Sequence, residues 1–411
     1  MGGLGRLHYR GRQGCGGEHV ELLSENWPVV RALIAAILLV TLMAGSAIVF
    51  IWMERKVAGR IQDRLGPTRV GGKFGWLQTI ADGIKLIAKE DIIPSAADQL
   101  LFRMSPYIAF IGVFLAFLVL PFGREIIGLP MNIAAFFILS VLSTEVFGII
   151  LAGYGSGSKW SLFGGMREAA QMVSYEVPRA LCVVIPVLYA GTLDLQLIAQ
   201  QQAGFFWNWT LFHDPFQFLT FWVFFTVATA GCKRAPFDLA EAESELVAGF
   251  HTEYSGFRWC LFFMAEYGAM FAASALAVTL FLGGWHSGLF PADFLPGDFQ
   301  TPWGIVASIL SVVIFIAKSW LLVFVMMWIR WTLPRLRIDQ VMMMCLKYLV
   351  PISCALLLLA SLLPLTWNTL RLPRLPFRNP QGIPAAPQPG SNSAPSGSAI
   401  DFASGGTHEL R

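Results

Sequence analysis

No two of the six cysteines in this sequence stand in a C-x-x-C pair. They are scattered as Cys15, Cys182, Cys232, Cys260, Cys345 and Cys354, four of them in or beside apolar runs. That excludes a recognisable zinc or iron–sulfur ligand set and gives no disulfide framework. The six histidines form no H-E-x-x-H pattern, so a metal site is not expected. Charge is also scarce. Asp, Glu, Lys and Arg make up 13% of 411 residues, against about a quarter in soluble domains. The net charge of +3 is too small to argue for a nucleic-acid partner. No internal repeat is visible, which weakens an inverted-repeat transporter reading. A signal-peptide pattern is missing too: residues 1–27 are mostly polar and Gly/Arg-rich, expected to be poorly ordered, and the first apolar run continues at spanning length.

What the chain does have is apolar length. Hydrophobic residues make up 55% and mean hydropathy is +0.61, so lipid is the expected solvent. A hydrocarbon core about 30 Å thick needs roughly 20 apolar residues per helix. Eight runs qualify, near 28–53, 105–122, 130–153, 169–191, 216–232, 257–283, 303–331 and 341–367. The expected fold is an all-α polytopic membrane protein of about eight transmembrane helices, occupying residues 28–371. Residues 372–411 hold seven prolines with many Gly, Ser and Asn. They cannot bury enough apolar surface to offset ordering entropy and are expected to be a disordered tail.

Basic residues concentrate in the odd-numbered loops. Loop one (54–104) carries nine, from Arg55 to Arg103, whereas the even-numbered loops hold only Arg124. By the positive-inside rule the odd loops face the cytoplasm and both termini the other side.

Loop one contains KFGWLQTIADGIKLIAKE at 73–90. Gln78, Asp82, Lys85 and Lys89 form a polar stripe at helical spacing, and Leu77, Ile80, Ala81, Ile84 and Ile87 form an apolar side. This predicts an amphipathic helix in the membrane interface, either a plain anchor or one wall of a cavity open to an apolar substrate. Trp52 and Trp76 mark headgroup depth. Glu54, Arg55 and Lys56 end the first apolar run, where snorkelling to the interface accounts for them.

Loop five reads CKRAPFDLAEAESELVAGFHTEYSGFR. Asp238 and Glu241 have the spacing of a helix N-cap and its box partner. That leaves Glu243, Glu245 and Glu253 unexplained. Asp238, Glu241 and Glu245 share one helical face, with Lys233, Arg234 and Arg258 as the nearby cations. Partly buried, such a cluster takes up and releases protons in a coupled way; fully solvated, it is an acidic loop facing a basic partner. Ionisable groups also lie inside apolar runs: Glu145, Glu176, Glu266 and Lys318. Each costs about 2.5–3.5 kcal/mol at the bilayer centre, which makes it a functional candidate. Lys318, near mid-helix, calls for an acidic partner or a water-filled cavity.

Taken in order, MERKVAGRIQDRLGPTRVG, LQTIADGIKLIAKED, GGMREAAQMVSYEVPRA, RAPFDLAEAESELVAGFHTEYSG, FFMAEY and RWTLPRLRIDQVMMMCLKYLVP resemble the H subunit of the proton-pumping NADH–quinone oxidoreductase, respiratory complex I. The resemblance implies a subunit of a bacterial cell (inner) membrane, at the junction of the membrane and peripheral arms. It would form much of a quinone chamber. It would hold no redox centre and no metal, with quinone as substrate and the other complex I subunits as partners. On this resemblance Arg55, Arg64, Lys85, Arg167, Arg234, Asp238, Glu241, Glu243, Glu245 and Glu253 would line or underlie the chamber. Glu145, Glu176, Glu266 and Lys318 would serve a proton path.

Two positions depart from the family pattern. The family stretch A-E-T-N-R is here Ala230-Gly231-Cys232-Lys233-Arg234, so a glutamate has become Gly231 and a cation, Lys233, has appeared beside it. That removes one acid from the path and leaves rerouting, with Glu145 as one candidate, or weakened coupling. Leu346 replaces a common tryptophan, a packing change. Two alternatives are the matching subunit of a membrane-bound hydrogenase or other donor-linked complex, and a secondary transporter or channel.

Overall fold

The computed structural model describes residues 16–124, 126–239, 247–289 and 302–369, with backbone alone for 16–29, 31 and 364–369. The expected tail, Glu241, Glu243 and Glu245 therefore lie outside the described residues, as do residues 1–15 of the N-terminal head.

Among the described residues every regular element is helical. The long helices are α1 (Gly16–Ile61), α3 (Gln99–Val119), α4 (Ala134–Gly155), α5 (Lys159–Ala190), α8 (Pro215–Gly231), α9 (Gly256–Phe281) and α10 (Pro302–Thr332). The last span is built in three pieces: α11 (Ile338–Met343), a π-helical turn Met344–Leu349, and α12 (Val350–Thr369). Shorter helices sit between spans: α2 (Gln78–Ala88), α6 (Leu195–Gln201) and α7 (Thr210–His213). Seven of the long segments meet the length and hydropathy of a membrane span, and α8 is a shorter apolar helix. The chain is a polytopic all-α membrane protein.

α9 is the hub. It is buried along most of its length and packs on α1, α3, α8 and α10. Its residues Gly268, Ala269, Ala272, Ala273, Ala275 and Ala277 explain this, because small side chains let neighbouring backbones close in where lipid supplies no hydrophobic drive. A Cβ at Gly268 would come within 2.8 Å of Val113 Cγ1 on α3.

The fourth apolar run begins earlier than hydropathy implies. α5 starts at Lys159, so Arg167 and Glu168 belong to a helix rather than a loop. Its buried face runs Ser161, Gly164, Glu168, Gln171, Tyr175 and Arg179. Those residues keep helical spacing but are mostly polar, and a count of apolar residues stops short of the first three. α1 likewise continues through Glu54, Arg55 and Lys56 to Ile61.

The interfacial helix α2 is shorter than 73–90. Gly71, Gly72 and Gly75 take left-handed φ of +84°, +78° and +65°, which holds the preceding residues in turns. Its apolar side chains Ile80, Ile84 and Ile87 are exposed, as expected of a helix whose apolar face meets lipid. Trp52 stacks on Trp76 at 4.2 Å between ring centroids and donates from Nε1 to the Phe74 carbonyl. Arg55 pairs with Asp82 at 2.5 Å, tying α2 to α1.

Candidate functional site

The buried charges gather where the C-terminal ends of α1, α8 and α10 meet α9. On α1, Glu54 follows Met43, Ala47 and Phe50 on one buried face. This places its carboxylate inside the bundle rather than at the lipid interface. Three groups converge on it. Arg234 Nη1 lies 3.3 Å from Oε2, Arg330 of α10 forms an ion pair with Oε1, and the Tyr267 hydroxyl of α9 donates to it. Arg234 also pairs through Nε with Glu266 Oε1 of α9 at 2.9 Å, and its guanidinium carbon lies 4.4 Å from the Tyr267 ring centroid. Burial works against the charge on Arg234. The carboxylates of Glu266 and Glu54 outweigh it and hold the guanidinium above its ordinary range.

One residue earlier in the chain, Lys233 points to a second group. Its Nζ lies 2.7 Å from Glu145 Oε1 of α4 and 3.7 Å from Glu168 Oε1 of α5. Beyond these, Arg179 of α5 is buried, with Nη2 4.0 Å from Glu176 Oε1. The backbone of Gly231 faces that guanidinium; a Cβ there would lie 3.2 Å from Arg179 Nη1. An acidic side chain at 231 would therefore enter this network.

Asp238 is buried near the same end and accepts from Arg335 Nη2 at 3.0 Å. Lys233 and Arg234 turn into the bundle, and Arg258 pairs with Asp91 at 3.0 Å. Glu253 is half-buried.

The expected site residues thus separate. Arg234, Glu145 and Glu266 come together, and Glu176 lies at the edge through Arg179. Arg55, Arg64 and Lys85 are exposed, with Arg64 donating to Gln62 at 2.7 Å. Arg167 is half-buried on α5. Lys318 stands apart from the acids. Its ammonium donates to the carbonyls of Leu282 (2.6 Å), Gly284 (3.2 Å) and His286 (2.5 Å), and sits 4.2 Å from the Trp209 ring centroid. The acidic partner expected for it is replaced by the carbonyl-rich C-terminal end of α9 and an aromatic face. Sequence reasoning missed Glu54 and Glu168 as buried acids and the half-buried Arg330 as a partner. The signal for Glu54 was present in its spacing from Met43, Ala47 and Phe50. No group of three or more His, Cys, Asp or Glu suited to a metal occurs among the described residues.

A family model described as NADH dehydrogenase matches residues 33–361. The chain is 46% identical to the NADH-quinone oxidoreductase H subunit of Anaeromyxobacter dehalogenans over 80% of each chain. It is 45% identical to the Chlorobaculum parvum H subunit, over 84% of this chain and 94% of that one. The chain belongs to the H-subunit family of NADH-quinone oxidoreductase. Within that H-subunit family it is also similar to the Chlorobaculum tepidum protein, 44% identical over 82% of this chain and 93% of its own. The range matched by the family model contains every buried charge described above.

Proposed function

We propose that this chain is the membrane subunit of a proton-translocating NADH:quinone oxidoreductase that forms the quinone chamber and the start of an acidic proton-coupling path. The observation that carries the proposal is the cluster of Glu54, Arg234, Glu266, Arg330 and Tyr267. It brings two buried carboxylates together with the buried Arg234 guanidinium and the half-buried Arg330 close to the inner ends of the spans. A fold gains little from such a cluster: desolvation of buried ions rivals their attraction, and apolar packing would serve stability as well or better. The cluster suits a function that responds to charge. α2, with its exposed apolar face, supplies the wall along which an apolar quinone reaches the chamber. Asp238 and Glu253, with Glu241, Glu243 and Glu245, supply the loop beneath it. Reducing a quinone there changes local charge and the proton affinity of the nearby acids.

The chain brings no redox centre of its own to this reaction; electrons arrive from a peripheral-arm partner, and other membrane-arm subunits carry the protons onward. Both termini lie on the non-cytoplasmic face of a bacterial inner membrane. The relatives named above favour this function over the hydrogenase-linked and transporter alternatives.

Native solubilisation tests the proposal. The chain is expected to migrate in a large assembly with inhibitor-sensitive NADH:quinone reductase activity. The double substitution Glu245→Gln with Glu253→Gln is expected to leave the assembly intact and lower quinone reduction or its coupling. A chain that migrates alone, or a double variant with unchanged activity and proton movement, would refute it.

A further inference from the structure

α1 and α10 leave a groove of about 500 Å³ between their inner ends, lined by Lys56, Val57, Arg60, Ile61, Phe324 and Trp328. Its character follows from helical spacing. On α1, Val57 and Ile61 form one i,i+4 pair and Lys56 and Arg60 the pair beside it, so an apolar strip and a basic strip run side by side. On α10, Phe324 and Trp328 stand at the same spacing and complete the apolar wall. Arg60, Ile61, Phe324 and Trp328 are exposed, and Lys56 and Val57 are half-buried. The volume falls within the range of small-molecule sites, about 300–1,000 Å³.

Neither cation has an acidic partner among the described residues. Lys56 Nζ donates to the Pro67 carbonyl at 2.7 Å, which holds the ammonium in place and leaves its other donors available. The acids nearest in the chain do not serve them. Glu54 is buried against Arg234 and Arg330, and Asp63 lies past the end of α1 with a φ of +52°. Snorkelling accounts for a single basic side chain at the end of a span. It does not account for two of them one turn apart beside an open apolar wall, with the Trp328 indole in the last turns of α10, where aromatic rings mark headgroup depth.

We propose that this groove binds one anionic phospholipid, its phosphate on Lys56 and Arg60 and an acyl chain along Val57 and Phe324, with Trp328 beside the headgroup. Charge and wall together decide the class of ligand. A neutral apolar molecule leaves both cations unmatched, and a free phosphate leaves the apolar walls bare. Basic pockets between spans on the cytoplasmic side suit anionic headgroups, and the basic residues of loop one assign this end of the spans to that side. The inference goes beyond the quinone-chamber function and does not depend on it. The lipid joins α1 to α10 from the bilayer side, where Glu54 and Arg330 join the same two helices from within.

Photolabelling of the intact complex in phosphatidylcholine vesicles tests it. The vesicles carry an equal trace of either phosphatidylglycerol or phosphatidylcholine with the same photoreactive acyl chain, and mass spectrometry reads the label on the peptides holding Val57 and Phe324. Phosphatidylglycerol is expected to label them roughly tenfold more than phosphatidylcholine, as two cations near an anionic headgroup imply. Lys56→Gln with Arg60→Glu is expected to abolish that preference, and added inorganic phosphate to leave it unchanged. Equal labelling by the two lipids would overturn the proposal and make the groove an ordinary contact with bulk lipid. Label that falls instead on another subunit seated in the groove would overturn it and make the groove a subunit interface. A preference that survives in the double variant, or that inorganic phosphate removes, would overturn it as well. If the double variant does not assemble, Arg60→Gln takes its place, because that side chain is exposed and unpaired among the described residues; it is expected to lower the preference, and an unchanged preference would refute the site.

Discussion

Arg234 Nε lies 2.9 Å from Glu266 Oε1, joining the segment after α8 to the most buried helix of the bundle. Through the same guanidinium Glu266 is connected to Glu54 on α1, and through Glu54 to Arg330 on α10. One side chain thus bridges carboxylates from two spans, with a third span reaching in. Removing it leaves both acids without their shared cation. Arg234→Met is expected to destabilise the subunit by about 3–5 kcal/mol, the usual cost of breaking a buried ion pair from one side. Arg234→Lys should recover part of this, since an ammonium cannot offer the guanidinium's separate donors to two carboxylates. Thermal midpoints and native-gel yields of the purified complex check the order wild type, Arg234→Lys, Arg234→Met. A fully stable Arg234→Met complex would show that the bridge contributes nothing to the fold.

Among the described residues Lys318 is held by three carbonyl oxygens and an indole face, with no carboxylate among its hydrogen-bond partners. Its chemistry is that of a cation capping the C-terminal end of a helix. Lys318→Met removes charged hydrogen bonds worth about 1.5–3 kcal/mol each before compensation. The expected outcome is a lower thermal midpoint and lower yield. The assembled fraction should keep its proton-to-electron ratio. A normal yield with a reduced ratio would return Lys318 to the proton path.

His286 lies beside this cap, outside the spans. Burial, then the nearby Lys318 and Arg124 charges, lower its pKa from 6.5 to about 4. The folded protein therefore binds the imidazole proton more weakly than the unfolded chain does. The stability associated with neutral His286 is fully present above about pH 6.5 and is lost as pH falls towards about 4. Replacing His286 by Gln is expected to flatten the pH dependence of the thermal midpoint across that window, with the Lys318 cap retained because it uses the backbone carbonyl. An unchanged pH profile in His286→Gln would contradict the assignment.

Much of the fold was legible from apolar run length alone. The eight expected spans correspond to helices, because nothing but a helix satisfies the backbone of such segments in lipid. The errors came where polar residues face inward. α5 begins at Lys159 because Ser161 and Glu168 point into the bundle, whereas hydropathy treats them as loop. Within the candidate site, Glu145 and Glu266 were identifiable as charges inside apolar runs. Glu54 was assigned to snorkelling because it ends such a run, although its spacing from Phe50 placed it on the buried face. Lys233 and Arg234 were counted as loop cations offsetting the acidic segment. Their inward turn depends on acids from α1, α4, α5 and α9, which no local pattern reveals.

On the proposed function, the buried Glu54–Arg234–Glu266 cluster couples quinone reduction to proton movement. NADH oxidation and proton translocation measured together in proteoliposomes carrying the complex with Glu266→Gln decide whether it does. The expected result is an assembled complex that still reduces quinone with a clearly lower proton-to-electron ratio. An assembled Glu266→Gln complex with the wild-type ratio would contradict it.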